Sequence, residues 1–288
     1  MTSGTRLNVE IEAAETWPPG FLATMVQNRD LILSYQRERQ RIDQLCQDDI
    51  FIRVDPPENK YKHEYEKLLE RLDKTLTQHR IVGYHCTRLT PGEIAGVKSN
   101  GLRLLSAELV RQRLDQCVAD GHLAPAHRTY LNGSQIMHQS LCNRHGNRTG
   151  MIWFCPNRST LRDASGVYRL FRSWGGEAVY FGHEEDGDVA AVLARIGTPC
   201  IVKCAIPFPC DAPYYPKFAA RFLSQFIAND IEYPEPTADF DLSTKKDVRA
   251  SEVLEIIEFS DPQFERMTGC SNWPPHYRIS PGTSRQSE

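Results

Sequence analysis

The chain has 288 residues, 40% of them hydrophobic and 25% charged, and a net charge of −3 at neutral pH. These proportions are ordinary for a globular protein, and the acidic balance argues against nucleic acid as a partner. No run of about 18 apolar residues occurs, so no membrane contact is expected, and nine cysteines without regular spacing read as free thiols of the cytoplasm. Met1 to Ala14 lack the basic-then-apolar layout of a secretory signal, which leaves open delivery into another cell by a dedicated secretion machine. Residues 1 to about 20 read as loosely packed, ending at Trp17-Pro18-Pro19-Gly20. One or two helices are expected from Phe21 to Gln47 and a short strand from Asp48 to Val54. Tyr61, Tyr65, Leu68, Leu69, Leu72 and Leu76 then recur at helical spacing and predict an amphipathic helix over 60–79.

From Arg80 the sequence changes character. Ile81, Val82 and Tyr84 are strand formers, and His85, Thr87 and Arg88 follow as polar side chains delivered to a strand end. Thr90, Pro91 and Glu93 have the spacing of a capping box with proline at the first helical position. The helix so started is expected to stop at Asn100-Gly101, with the glycine as a left-handed cap. With Tyr84-His85-Cys86-Thr87-Arg88, Glu93-Ile94 and Asn100-Gly101-Leu102, the stretch resembles the first core strand and helix of the ADP-ribosyltransferase family. The resemblance implies a core of two facing β-sheets, and NAD as a substrate whose ribose and nicotinamide side is held by His85 and Thr87, with Arg88 beside them.

Farther along, a helix is expected from Ser106 to Asp120, and the polar segment 122–150 has no clear period. Short strands are expected at Met151–Cys155, Glu177–Phe181, Cys200–Ile206 and Ser251–Phe259, with helices at Asp163–Ser173, after Glu184, and at Phe218–Asn229. A proline-rich loop falls at Tyr233–Pro236. Short strands with uneven connections suit an α+β fold rather than regular βαβ winding. The division expected is a helical region over 1–79, an ADP-ribosyltransferase-like catalytic domain over 80–262 and a tail over 263–288.

Two carboxylates compete for the chemistry. Arg172-Ser173-Trp174-Gly175-Gly176-Glu177 pairs a backbone able to approach a ligand closely with an indole able to stack and a carboxylate. Breaking the nicotinamide–ribose bond passes through an oxocarbenium-like state that a carboxylate stabilises, without a metal ion. The same residues also fit a tight turn in which Glu177 pairs with Arg172. The resemblance favours instead a glutamate at the start of a late strand, where Glu252 stands, and places Tyr168 where a family tyrosine stacks on nicotinamide. Trp153-Phe154-Cys155-Pro156 departs from the family's usual strand ending. The resemblance further implies a protein acceptor, with an arginine side chain as in bacterial effector members. An RNA 2'-phosphotransferase-like enzyme and an inactive protein-binding module are the alternatives. His138, Cys142, His145 and Cys155 lack the tight paired spacing of structural zinc, and Cys200 and Cys204 share one strand face as small core residues.

Overall fold

The computed structural model describes residues 6–142, 148–208, 218–228 and 242–282. β1 (Asn8–Val9) precedes α1 (Pro19–Gln27), α2 (Arg29–Asp48), α3 (Ile50–Val54) and α4 (Lys62–Leu76). Then come β2 (Arg80–Leu89), α5 (Pro91–Asn100), α6 (Ala107–Ala119), α7 (Pro125–Gly133) and α8 (Gln135–Leu141). β3 (Ile152–Phe154), α9 (Ala164–Arg172), α10 (Glu177–Tyr180), α11 (Gly187–Arg195), β4 (Thr198–Pro207) and α12 (Ala219–Phe226) follow. β5 (Leu242–Thr244), β6 (Val253–Glu258) and α13 (Pro262–Thr268) are the last of these elements. Among the described residues the fold is mixed α+β, helix-rich at its N-terminal end, with two β-sheets, neither closed into a barrel. Among the described residues no helix is long and apolar enough to cross a membrane. The Pro-rich loop 233–236, His145 and the chain ends 1–5 and 283–288 lie outside the described residues.

One compact unit comprises residues 1–81 with 207–240, the latter inside the 80–262 span read from the sequence as one domain. Its α4 buries Tyr65, Leu68, Leu69, Leu72 and Leu76 on one stripe, and the Tyr65 ring stacks on Tyr35 of α2 with centroids 3.7 Å apart. Residues before α1 are not loosely packed as expected: Val9, Ile11 and Trp17 are buried. Trp17 and Phe21 meet Phe222 of α12 edge-on, at 5.4 and 5.2 Å. The Asp73 carboxylate of α4 accepts the Ala219 amide at 2.6 Å, so the leading helices and α12 are one cluster. The strand expected at 48–54 is the helix α3. Asp49 caps it by accepting the Phe51 amide at 2.8 Å, a local bond that outweighs the strand preference of Ile50, Phe51 and Val54.

The second unit comprises 82–206 and 241–288. In it β2, β4 and β6 are successive neighbours, and β4 runs antiparallel to β6, Ile201 opposite Ile257. β3 pairs antiparallel with β5, Phe154 opposite Leu242. Reciprocal 2.9 Å bonds between Tyr84 and Cys155 tie β2 to the end of β3. Val82, Tyr84, Phe171, Ile201, Ile257 and Phe264 form one core cluster. Leu114, Leu131, Trp174, Tyr180 and Leu193 belong to another. The capping box forms as expected: Thr90 Oγ1 accepts the Glu93 amide at 3.2 Å and Glu93 Oε2 accepts the Thr90 amide at 2.8 Å. Gly101 has φ 83° and ψ −162°, which is not the left-handed helical cap expected. Its need for glycine is a close approach, since a Cβ there would lie 1.8 Å from the Val248 carbonyl oxygen.

Two expectations need correction here. β2 continues to Leu89, so His85 and Thr87 project from the strand itself rather than from its end. The strand expected at 177–181 is the one-turn helix α10, in which Ala178, Val179 and Tyr180 are all buried. An apolar run this short fits either structure, and the amides of Val179 and Tyr180 both turn back to the Gly176 carbonyl, at 2.9 and 3.1 Å. Residues 122–150 contain α7 and α8, which carried no usable period in the sequence.

Candidate functional site

A cavity of about 300 Å³ opens in the second unit, lined by His85 and Thr87 of β2, Trp153 of β3, Arg113 of α6, Arg169 of α9, and Gly175 to Ala178 with Tyr180. His85 and Thr87 are two residues apart on one strand and so share a face. His85 Nδ1 lies 2.8 Å from the Trp153 carbonyl oxygen. Only an N–H can pair with a carbonyl, so that nitrogen carries the proton and Nε2 keeps a lone pair. Burial pushes the imidazole below its ordinary pKa, Arg113 adds to this and the Trp153 carbonyl opposes it. The ring is therefore neutral at neutral pH, an acceptor rather than a cation.

Glu177 reaches the cavity through its glycine pair. Gly175 and Gly176 have φ of 97° and 72°, and a Cβ on Gly175 would come within 2.6 Å of Val179. The turn sets Glu177 at the start of α10 with its carboxylate 2.6 Å from Arg148 Nη2. The Arg148 guanidinium in turn lies over the Trp153 ring, 4.8 Å from its centroid. Arg172 joins Arg169 in gripping Glu184, with Arg169 Nε at 2.8 Å.

Three donors of the lining residues, Arg113 Nη2, Trp153 Nε1 and Tyr180 Oη, are buried without a partner among the described residues. An unmade hydrogen bond of this kind costs about 1–3 kcal/mol. Burial pushes the Tyr180 phenol up, so it stays a protonated donor. Arg113 is held from behind: its Nε donates to Glu93 Oε1 at 2.6 Å, while Trp174 Nε1 donates to Glu93 Oε2 at 2.9 Å. Burial pulls the Glu93 carboxyl up, and Arg113, the Thr90 amide and Trp174 together outweigh that and leave it below the ordinary carboxylate range.

The other residues singled out from the sequence lie elsewhere, since Arg88, Tyr168, Arg172, Trp174 and Glu252 do not line the cavity. Trp174 is a core residue, 1% exposed, and acts on the cavity only through Glu93 and Arg113. Arg88, one residue beyond Thr87 and so on the opposite face of β2, is bound to four backbone carbonyls. Tyr168 packs against Tyr277, ring centroids 5.2 Å apart. Glu252 is buried in a 3-10 turn before β6, accepting from the Arg249 amide at 3.0 Å and Arg249 Nη2 at 2.7 Å. Among the described residues no group of three or more His, Cys, Asp or Glu is placed to hold a metal ion. Cys142 is near His138, Sγ to Nδ1 3.5 Å, whereas Cys155 is buried against Cys86, whose thiol that contact and burial push well up. Cys200 and Cys204 are both fully buried on β4.

Arg113, Arg148 and Tyr180 were not anticipated as site residues. Arg113 follows Leu109 by one helical turn, and both line the cavity beside the buried stripe of Val110, Leu114 and Cys117. That arginine next to an apolar stripe was a usable signal. Arg148 sits in the segment without a period, and its partners are set by tertiary contacts alone.

Trp174→Phe removes one donor to Glu93 together with part of a buried ring. A carboxyl whose pKa is lowered on folding stabilises the protein above its unfolded pKa, and this is lost as pH falls through the folded value. The variant is expected to lose about 1–3 kcal/mol at neutral pH, and its acid unfolding limb should move to higher pH, read by urea melts across the acid range. An unchanged acid limb would show that the indole does not support Glu93.

Compared with known proteins, the chain matches no family model, no curated protein and no solved structure.

Proposed function

We propose that the cavity takes the nicotinamide end of NAD and that the chain is an NAD-consuming mono-ADP-ribosyltransferase acting on a protein side chain. The observation that carries this is one cavity lined by Glu177, the neutral acceptor His85 and the buried Thr87. Its volume is at the small end for ligand cavities, roughly 300–1,000 Å³, which suits one half of a dinucleotide with the rest at the mouth. Arg103, Arg113 and Arg169 supply cations for a pyrophosphate. Glu177 would stabilise the oxocarbenium as nicotinamide leaves, and His85 Nε2 would accept from a ribose hydroxyl. On this reading β2–β4–β6 and β3–β5 are the two sheets of an ADP-ribosyltransferase-like core, and the protein works in a cytoplasm, its own or one it is delivered into.

The arginines around the cavity also favour a second reading, an RNA 2'-phosphotransferase-like enzyme that would use NAD on a phosphate. Labelled NAD separates the possibilities. Nicotinamide release with label on protein supports the first, release only when 2'-phosphorylated RNA is added supports the second, and no release at all leaves a protein-binding module. His85→Ala is expected to weaken NAD binding about tenfold, the loss of one hydrogen bond to a buried group. Calorimetry giving equal affinity in variant and parent would remove His85 from the site.

A further inference from the structure

Of the four arginines lining the cavity, three are secured by groups outside its lining: Arg113 by Glu93, Arg169 by Glu184 and Arg103 by Gln112. Arg148 differs. Its guanidinium is paired at 2.6 Å with Glu177, the carboxylate of the cavity itself, and lies 4.8 Å from the Trp153 ring centroid. An aromatic face on one side and a carboxylate at the edge is how a protein holds a guanidinium. The side chain is 37% exposed, so it is not locked in the core. Arg148 thus lines the cavity with its guanidinium against the carboxylate to which the reading above gives the chemistry.

We propose that Arg148 is a self-modification site of this cavity. The proposal rests on the NAD reading above. In the step, the bond between ribose C1' and the nicotinamide nitrogen breaks and nicotinamide leaves with the electron pair. An Arg148 Nη nitrogen supplies the pair that forms the new bond to C1'. Its displaced proton passes to the Glu177 carboxylate and on to water. The products are nicotinamide, ADP-ribosyl-Arg148 and one proton. Because donor and acceptor lie in one cavity of one chain, the reaction is intramolecular, and its rate does not depend on protein concentration.

The test is to incubate the full chain with adenine-labelled NAD and map the label by peptide mass spectrometry. The expected result is one ADP-ribosyl group on the peptide holding Arg148, with an initial rate per chain unchanged on dilution. Free arginine should compete for the label in the parent chain, and Arg148→Lys and Arg148→Gln, checked for a parental thermal midpoint, should lose it. Nicotinamide release with label only on other residues, or only as free ADP-ribose, overturns this proposal and leaves the NAD reading standing. A labelling rate that falls with dilution overturns the intramolecular step. Absence of nicotinamide release overturns the NAD reading and this proposal together.

Discussion

Glu177→Gln is expected to slow nicotinamide release by about a hundredfold or more, while changing NAD affinity only a few-fold. A carboxylate that acts on the developing oxocarbenium contributes chiefly to the transition state, so its loss falls on turnover. Glutamine keeps the shape and can still accept from Arg148, which is 2.6 Å from the carboxylate, so the glycine turn and α10 should survive. Glu252→Gln makes the contrasting case. That carboxylate is 3% exposed and accepts from the Arg249 amide and guanidinium, so its loss should lower stability by about 1–3 kcal/mol and spare turnover. Steady-state rates beside urea melts check both. Full turnover in Glu177→Gln with loss in a folded Glu252→Gln would move the chemistry to the late strand.

Local rules read well from this sequence, and tertiary choices did not. The stripe of α4 and the capping box of α5 follow from spacing within one element, and both are present as expected. His85 and Thr87 reach a common cavity because strand alternation puts them on one face. That same alternation, applied one residue further, would have turned Arg88 away. Trp174 illustrates a different limit. Its position beside two glycines and a glutamate suggested a stacking surface, but the indole joins the core with Leu114 and Leu193 and spends its N–H on Glu93. Which side of a turn a large aromatic takes depends on the apolar partners that distant elements bring, here α6 and α11. The strand expected at 177–181 has the same origin, because Val179 and Tyr180 fit either structure until that core is assembled. Arg148 was illegible for a stricter reason: its two partners, Trp153 and Glu177, come from different elements, and its own segment has no periodicity.

Arg88→Met is expected to lower stability by at least about 3 kcal/mol. The Arg88 side chain is 1% exposed, yet it donates to four backbone carbonyls. Nε donates to the Ile196 carbonyl at 2.8 Å, Nη1 to those of Phe171 at 3.0 Å and Ser280 at 2.9 Å, and Nη2 to that of Gly197 at 2.8 Å. One side chain thereby fastens the end of α9, the entry to β4 and the last described segment onto β2. Burial pushes its pKa down to about 10, still well above neutral, so the cation persists and the loss should not vary across neutral pH. Methionine keeps the apolar stem about as far as Nε but leaves four carbonyls, those of Phe171 and Ile196 on buried residues, without these donors. Lysine restores the charge without the planar fork and should recover only part of the loss. In urea melts the midpoint should fall with an unchanged slope, the sign of lost stability in an intact two-state fold. If Arg88→Met instead melts like the parent and binds NAD more weakly, Arg88 serves the ligand rather than the fold.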